Sequence, residues 1–214
     1  MKTMNSTKEL GNYDKKFEKV FSLFKSNIEN GEEVGASFAV FHEGKLVIDL
    51  YGGYRDKDKT KAWDQDTIVN IHSTSKGLVA MIIAHLIDKG QIDLDENVAT
   101  YWPEFAQAGK ENIKVRTLLS HQAGLYGWKE KIDELDFYRW DFVVDLLAKQ
   151  EPFHIPGQEI CYHPKTIGFL VGELIRRVTK KTVGNFLKEN LSDPLDAKCF
   201  IAVSYTHLTL PTKA

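Results

Sequence analysis

The sequence predicts an α+β fold of the α/β sandwich type: an N-terminal hairpin of an antiparallel sheet, then a helical region. Three observations lead there. Strand-like runs come early and flank one tight polar turn, in "ASFAVFHEGKLVIDLYGG". Beyond residue 75, apolar residues recur at three- and four-residue spacing, the period of a helix with one buried face. No internal repeat and no low-complexity segment competes with that division.

The elements follow in order. Residues 1–12 read as a flexible N-terminus, and 13–202 as one domain. Phe17, Val20, Phe21, Phe24 and Ile28 share a helical face, so 13–30 reads as an amphipathic helix. The β-rich runs on either side of His42-Glu43-Gly44-Lys45 read as a hairpin, and Gly52-Gly53 as a turn at the end of its second strand. "DTIVNIH" is expected to be a short extended segment. Residues 75–89 read as a helix that stops at Gly90. "QIDLDENVATYWPEF" reads as turn and loop with scattered apolar anchors. "IKVRTLLSHQAGL" suggests a short helix ending at Gly124, and 141–149 a helix that stops before Pro152. "FHIPGQEICYHPKT" is a loop with a Pro156-Gly157 turn. Residues 166–179 and 183–191 read as two more helices. In the first of these, Ile167, Leu170, Val171, Leu174, Ile175 and Val178 form a broad core face. A lone hairpin is not stable by itself, and few further strands are evident.

Composition narrows the function classes. Hydrophobic residues make up 43% and charged residues 27% of the 214 positions, as in ordinary globular domains. A formal net charge of -2 gives no pull toward nucleic acid or an anionic membrane. Arg55, Lys57, Lys59 and Lys61 interleave with Asp56, Asp58 and Asp64, the pattern of a solvated loop. The longest apolar run, "GLVAMIIAHLI", is too short to span a bilayer and is interrupted by His85. The N-terminus lacks a signal-peptide core. Cys161 and Cys199 make no C-x-x-C pair. A soluble cytoplasmic protein is the expectation. Seven histidines include no H-E-x-x-H, and there is no P-loop or G-x-G-x-x-G, so no metal, nucleotide or other cofactor is expected.

The stretch with the most chemistry is "NIHSTSKGLVA", residues 70–80. Ser73 and Lys76 sit where an extended segment is expected to enter a helix. Residues three apart share a helix face, so the lysine reaches the serine hydroxyl and can take its proton for attack on a carbonyl. Backbone N–H groups at the helix start can stabilise the resulting oxyanion. The plainer reading is that Ser73 or Ser75 caps the helix and Lys76 is solvated. Spacing alone favours that reading.

The wider sequence changes the balance. "HSTSKGLVA", "GQIDLDENVATYWPEF", "VRTLLSHQAGL" and "YHPKTIGFLVGELIRRVT" occur in an order that resembles the serine β-lactamase-related family. That family comprises class C β-lactamases, penicillin-binding-protein-like hydrolases and esterases of the same β-lactamase/transpeptidase-like fold. The resemblance covers roughly residues 13–200, and S-x-x-K is the family's nucleophile signature. It implies that Ser73 is the acylated nucleophile, Lys76 its base partner and Tyr162 a partner in proton transfer. A phenol beside an ammonium is driven toward phenolate. It also points to His163 as a substrate-binding residue, since the Tyr-His pairing is similar to the esterase-leaning relatives. The implied substrate is a small ester or amide.

Two departures stand out. Where the β-lactamases commonly carry Asn two places after the tyrosine, this chain has Pro164. The family's third motif, Lys-Thr-Gly or His-x-Gly on a late strand, is absent. "KTIG" at 165–168 and "KTVG" at 181–184 fall in segments that read as helical. The late strands of the fold are thus expected to be missing. The tail "VSYTHLTLPTKA" agrees: Val203 to Thr212 back-translate into a string that resembles a transposon end followed by a sequencing adapter. On that reading 203–214 is not native, and the domain is incomplete with impaired activity. A non-catalytic binding protein of the same fold is the alternative, and a β-lactamase or D-alanyl peptidase a further one. Ser120 with His121 and Cys161 with His163 are weaker nucleophile pairs. Neighbours in sequence do not face each other productively, and a buried inert Cys is the ordinary case.

Overall fold

The computed structural model describes residues 10–201. Residues 1–9, most of the segment expected to be flexible, and the adapter-like tail 203–214 lie outside the described residues. The chain divides after Asn70 into two compact units.

The first unit is built on the expected hairpin. β2 (Gly35–His42) and β3 (Lys45–Gly53) pair antiparallel, with Phe38 opposite Leu50, Val40 opposite Ile48 and His42 opposite Lys45. Glu43 and Gly44 both take positive φ, 50° and 74°, as the two central residues of a type I′ turn do; its twist matches that of the flanking strands. A bulge between Val40 and Phe41 shifts the register next to the turn. The strand the sequence reading lacked is β1 (Gly11–Tyr13), which pairs with β3 and gives the order β1-β3-β2. Its three residues, "GNY", carry no alternating pattern, so nothing local marks them as a strand.

The amphipathic helix starts later than expected. Lys15–Phe17 is a 3-10 turn, with the Asp14 side chain accepting from the Lys16 N–H, and α1 runs Glu18–Glu29. β3 buries Ile48, Leu50 and Gly52, every second residue, on the face that α1 covers. Gly52 leaves room there for the Leu10 side chain. A Cβ on it would lie 2.3 Å from Leu10 Cδ2 and 3.6 Å from Ile28 Cδ1. The Asp56 carboxylate closes the charged loop by accepting from Thr60 and Lys61. "DTIVNIH" is not a strand: residues 67–71 carry no regular secondary structure, and Ile68, Val69 and Ile71 are exposed. β-branched composition alone does not make a strand without a neighbour to pair with.

The second unit, 71–201, is helical. α2 (Ser75–Asp88), α5 (Trp140–Lys149) and α6 (Thr166–Thr179) lie where periodicity placed them. α3 (Val98–Tyr101) and a 3-10 turn at Pro103–Phe105 occupy the segment read as loop. They are too short to show a period, but their anchors Val98, Trp102 and Phe105 are buried. α4 (Val115–Leu119) follows, and α7 (Val183–Leu187) widens into a π turn, Lys188–Ser192, instead of continuing as one helix. "KTIG" and "KTVG" both run into helices, α6 and α7.

α6 is the hub, packing against α2, α3, α4, α5 and α7. Leu170, Val171, Leu174 and Ile175 are almost wholly buried. Burial of each such side chain contributes roughly 1.5–3 kcal/mol relative to exposure. One charge is buried among them. The Glu173 carboxylate accepts from Trp140 Nε1 (2.8 Å), Arg176 Nε (2.7 Å) and Arg177 Nε (2.7 Å). Burial pushes its carboxyl up, but these hydrogen bonds outweigh that and hold it below its ordinary value. Lys110, also buried, donates to the carbonyls of Gln107 (2.8 Å) and Gln150 (2.5 Å), tying a loop to the end of α5. No described helix is long and apolar enough to cross a membrane.

Candidate active site

The site lies in the second unit, at the N-terminal end of α2. His72–Thr74 form a 3-10 turn that runs directly into the helix. His72 takes a left-handed φ of 45°, immediately before the serine. The helix-cap reading does not hold. The capping position is Thr74, which makes no side-chain cap bond, and Ser75 Oγ donates to the His72 carbonyl at 2.6 Å. Ser73 Oγ is engaged elsewhere. Lys76 Nζ donates to it at 3.0 Å and Tyr162 Oη at 2.8 Å. The lysine arrives from one helical turn along α2; the tyrosine arrives from a loop 89 positions away in sequence.

Two features tune this trio. Hydrogen bonding with Ser73 first and with Lys76 second, then the Lys76 charge, holds the Tyr162 phenol below its ordinary value. Lys76 Nζ also donates to the carbonyl of Pro164 at 3.2 Å. The position where the β-lactamases commonly carry Asn thus contributes a main-chain oxygen that steers the lysine. The serine opens into a cavity of about 640 Å³. Beyond Ser73, Lys76 and His121, its wall is largely apolar, with Val79, Ile83 and Ile87 from α2 and Ile167 and Val171 from α6.

His163 corrects an expectation. It is fully buried and does not offer itself to a substrate. Its Nδ1 donates to the Cys161 carbonyl at 2.6 Å, and its Nε2 accepts from the Leu125 N–H at 3.1 Å. Both nitrogens are committed, and only the neutral ring fits that pattern. Burial, foremost, pushes the imidazole down to about 4, with His121 and His154 adding to the shift. The sign follows. Between about 4 and the unfolded value near 6.5 the unfolded chain binds this proton and the folded chain does not. The contribution is therefore complete above about 6.5 and lost as pH falls toward about 4. The expected result is a lower urea midpoint at pH 5 than at pH 7, with a smaller difference in His163→Gln; an equal difference in both proteins would exclude His163 as the cause.

The weaker nucleophile pairs do not form. Ser120 Oγ donates to the Arg116 carbonyl, turned back onto α4, not to His121. Cys161 is a free, half-buried thiol. No cluster of metal-ligating side chains occurs among the described residues. His121 is a site residue the sequence reading set aside. It lines the cavity with Ser73 and Lys76, and its ring lies 4.9 Å from that of Tyr162. Its membership in "LLSHQAGL" was the available signal.

The family model described as Beta-lactamase matches residues 21–201. The chain belongs to the beta-lactamase family. Among curated members, esterase/beta-lactamase LipL of Mycobacterium tuberculosis (strain ATCC 25618 / H37Rv) is 33% identical over 186 residues, covering 87% of this chain and 43% of LipL. Among solved structures, a family VIII carboxylesterase is 43% identical with a TM-score of 0.83, covering 86% of this chain and 50% of that one. A penicillin-binding protein homologue from Caulobacter crescentus is 38% identical with a TM-score of 0.87, covering 92% and 53%. The chain thus spans about half the length of these beta-lactamase-family relatives. The likeness establishes the β-lactamase/transpeptidase-like fold.

Proposed function

We propose that this protein is a serine hydrolase acting on small esters through an acyl-enzyme at Ser73, with Lys76 and Tyr162 as its proton-transfer partners. The observation that carries the reading is the placement of Ser73 Oγ within hydrogen-bond reach of both Lys76 Nζ and Tyr162 Oη. The chemistry follows from that placement. Tyr162 acts in its phenolate form, which the Lys76 charge beside it favours, and accepts the serine proton to become the neutral phenol while Lys76 holds the developing negative charge. Ser73 Oγ attacks the ester carbonyl carbon, and the tetrahedral intermediate collapses as the alcohol leaves with the proton. Water then enters, gives its proton to the same pair and releases the acid. The Pro164 carbonyl keeps Lys76 beside the serine throughout.

Support also comes from relatives whose names include esterase and carboxylesterase. Pro164 argues against efficient lactam turnover, because it brings no side-chain amide to meet a substrate amide. The test is a comparison of substrates. A short-chain p-nitrophenyl ester is expected to release a burst of p-nitrophenol close to one equivalent of protein, then a slower steady rate. A chromogenic cephalosporin is expected to turn over about 100-fold more slowly, the scale of a polar group left without its partner. Binding of ester without any burst would favour the non-catalytic alternative, and faster cephalosporin turnover the lactamase one.

A further inference from the structure

We infer that His121 is the positioning residue for Tyr162, gripping the peptide N–H groups on both sides of it. The inference rests on the Ser73–Lys76–Tyr162 reading above. The Cys161 N–H donates to the His121 carbonyl at 3.0 Å, and the His163 N–H donates to His121 Nδ1 at 3.2 Å. Tyr162 stands between those two bonds. It needs them, because residues 159–163 lie in no helix or strand and the tyrosine side chain is 50% exposed. Packing alone does not hold the phenol against the serine.

His121 is itself well anchored. It sits just past α4, its N–H donating to the Leu118 carbonyl, with a left-handed φ of 62° that aims carbonyl and ring at the same strand of loop. Next to it, the Gln122 carbonyl accepts from the Gly157 N–H and fixes the start of that loop. The grip requires an unprotonated Nδ1, hence a neutral ring with its proton on Nε2. Lys76, Tyr162 and His163 are the titratable groups around it. Burial, then the Lys76 charge, hold the imidazole below its ordinary value and favour that neutral form.

Two substitutions separate the acceptor from the backbone. His121→Asn keeps an acceptor near the place of Nδ1 and tolerates the left-handed backbone; His121→Gly keeps the backbone alone. The full 214-residue chain is assayed for ester kcat and KM, for the rate of fluorophosphonate labelling and for melting temperature. The expected result is His121→Asn within several-fold of the parent, and His121→Gly slower in kcat and labelling by about 100-fold at nearly unchanged KM, the scale of a catalytic group displaced by about 1 Å. Equal rates in both variants, whether equally fast or equally slow, would overturn the inference, as would loss confined to KM. Should His121→Gly fail to fold, loss of kcat in a folded His121→Asn overturns it and retention supports it. Failure of the underlying reading is visible separately, as activity that survives Ser73→Ala.

Discussion

Replacing Ser73 with Ala is expected to abolish both fluorophosphonate labelling and ester turnover, with a loss of roughly 10⁴-fold or more, the scale for removal of a nucleophile. The size follows from the geometry. Ser73 Oγ is the atom on which Lys76 Nζ and Tyr162 Oη converge. Deleting it leaves the pair with nothing to activate except water. The neighbouring Ser75 is no substitute, because its hydroxyl is turned back onto the His72 carbonyl. The fold has no reason to suffer: Ser73 is exposed and carries no cap bond of α2. An unchanged melting temperature alongside lost labelling is the expected pairing. Labelling that persists would remove Ser73 from its role.

Tyr162→Phe is the second large effect. The ring, and with it the contact to His121 and the proximity to Lys76, is retained; only Oη goes. Acylation is expected to slow by about 10²–10⁴-fold, the usual worth of a general acid–base group. KM should move little, since the ring and its contacts to His121 and Lys76 stay in place. The measurement is the burst rate by stopped flow. An unchanged burst would leave proton transfer to Lys76 alone and remove Tyr162 from the mechanism.

The fold was legible wherever a period or a turn signature ran long enough. α6 was placed to the residue, because fourteen positions carry a continuous apolar face. The β2–β3 hairpin was placed by Glu43-Gly44, where two positive φ values favour that turn chemistry. What escaped was short or contextual. β1 has three residues and exists only as a partner to β3. α3 has four. "DTIVNIH" has strand composition but pairs with no strand among the described residues.

The site divides in the same way. Ser73 and Lys76 are local, one helical turn apart, so spacing offered them as a pair, but it took the resemblance to the family to favour catalysis over a helix cap. Tyr162 is 89 positions from Ser73, and only resemblance to the family brought it in. His163 was named for the wrong task, because sequence does not show that both its nitrogens are spent on main-chain groups. The Pro164 carbonyl and the two-handed grip of His121 are main-chain geometry, which side-chain identities do not encode.

The central claim is that acyl transfer passes through one hydroxyl. It is tested most directly by trapping the intermediate with a slowly deacylating p-nitrophenyl ester and mapping the acyl group by mass spectrometry of the digested chain. The account predicts one acyl group per chain, on Ser73. An acyl group on Ser75, Ser120 or Cys161, or steady ester turnover with no covalent acyl group at any burst time, would contradict it.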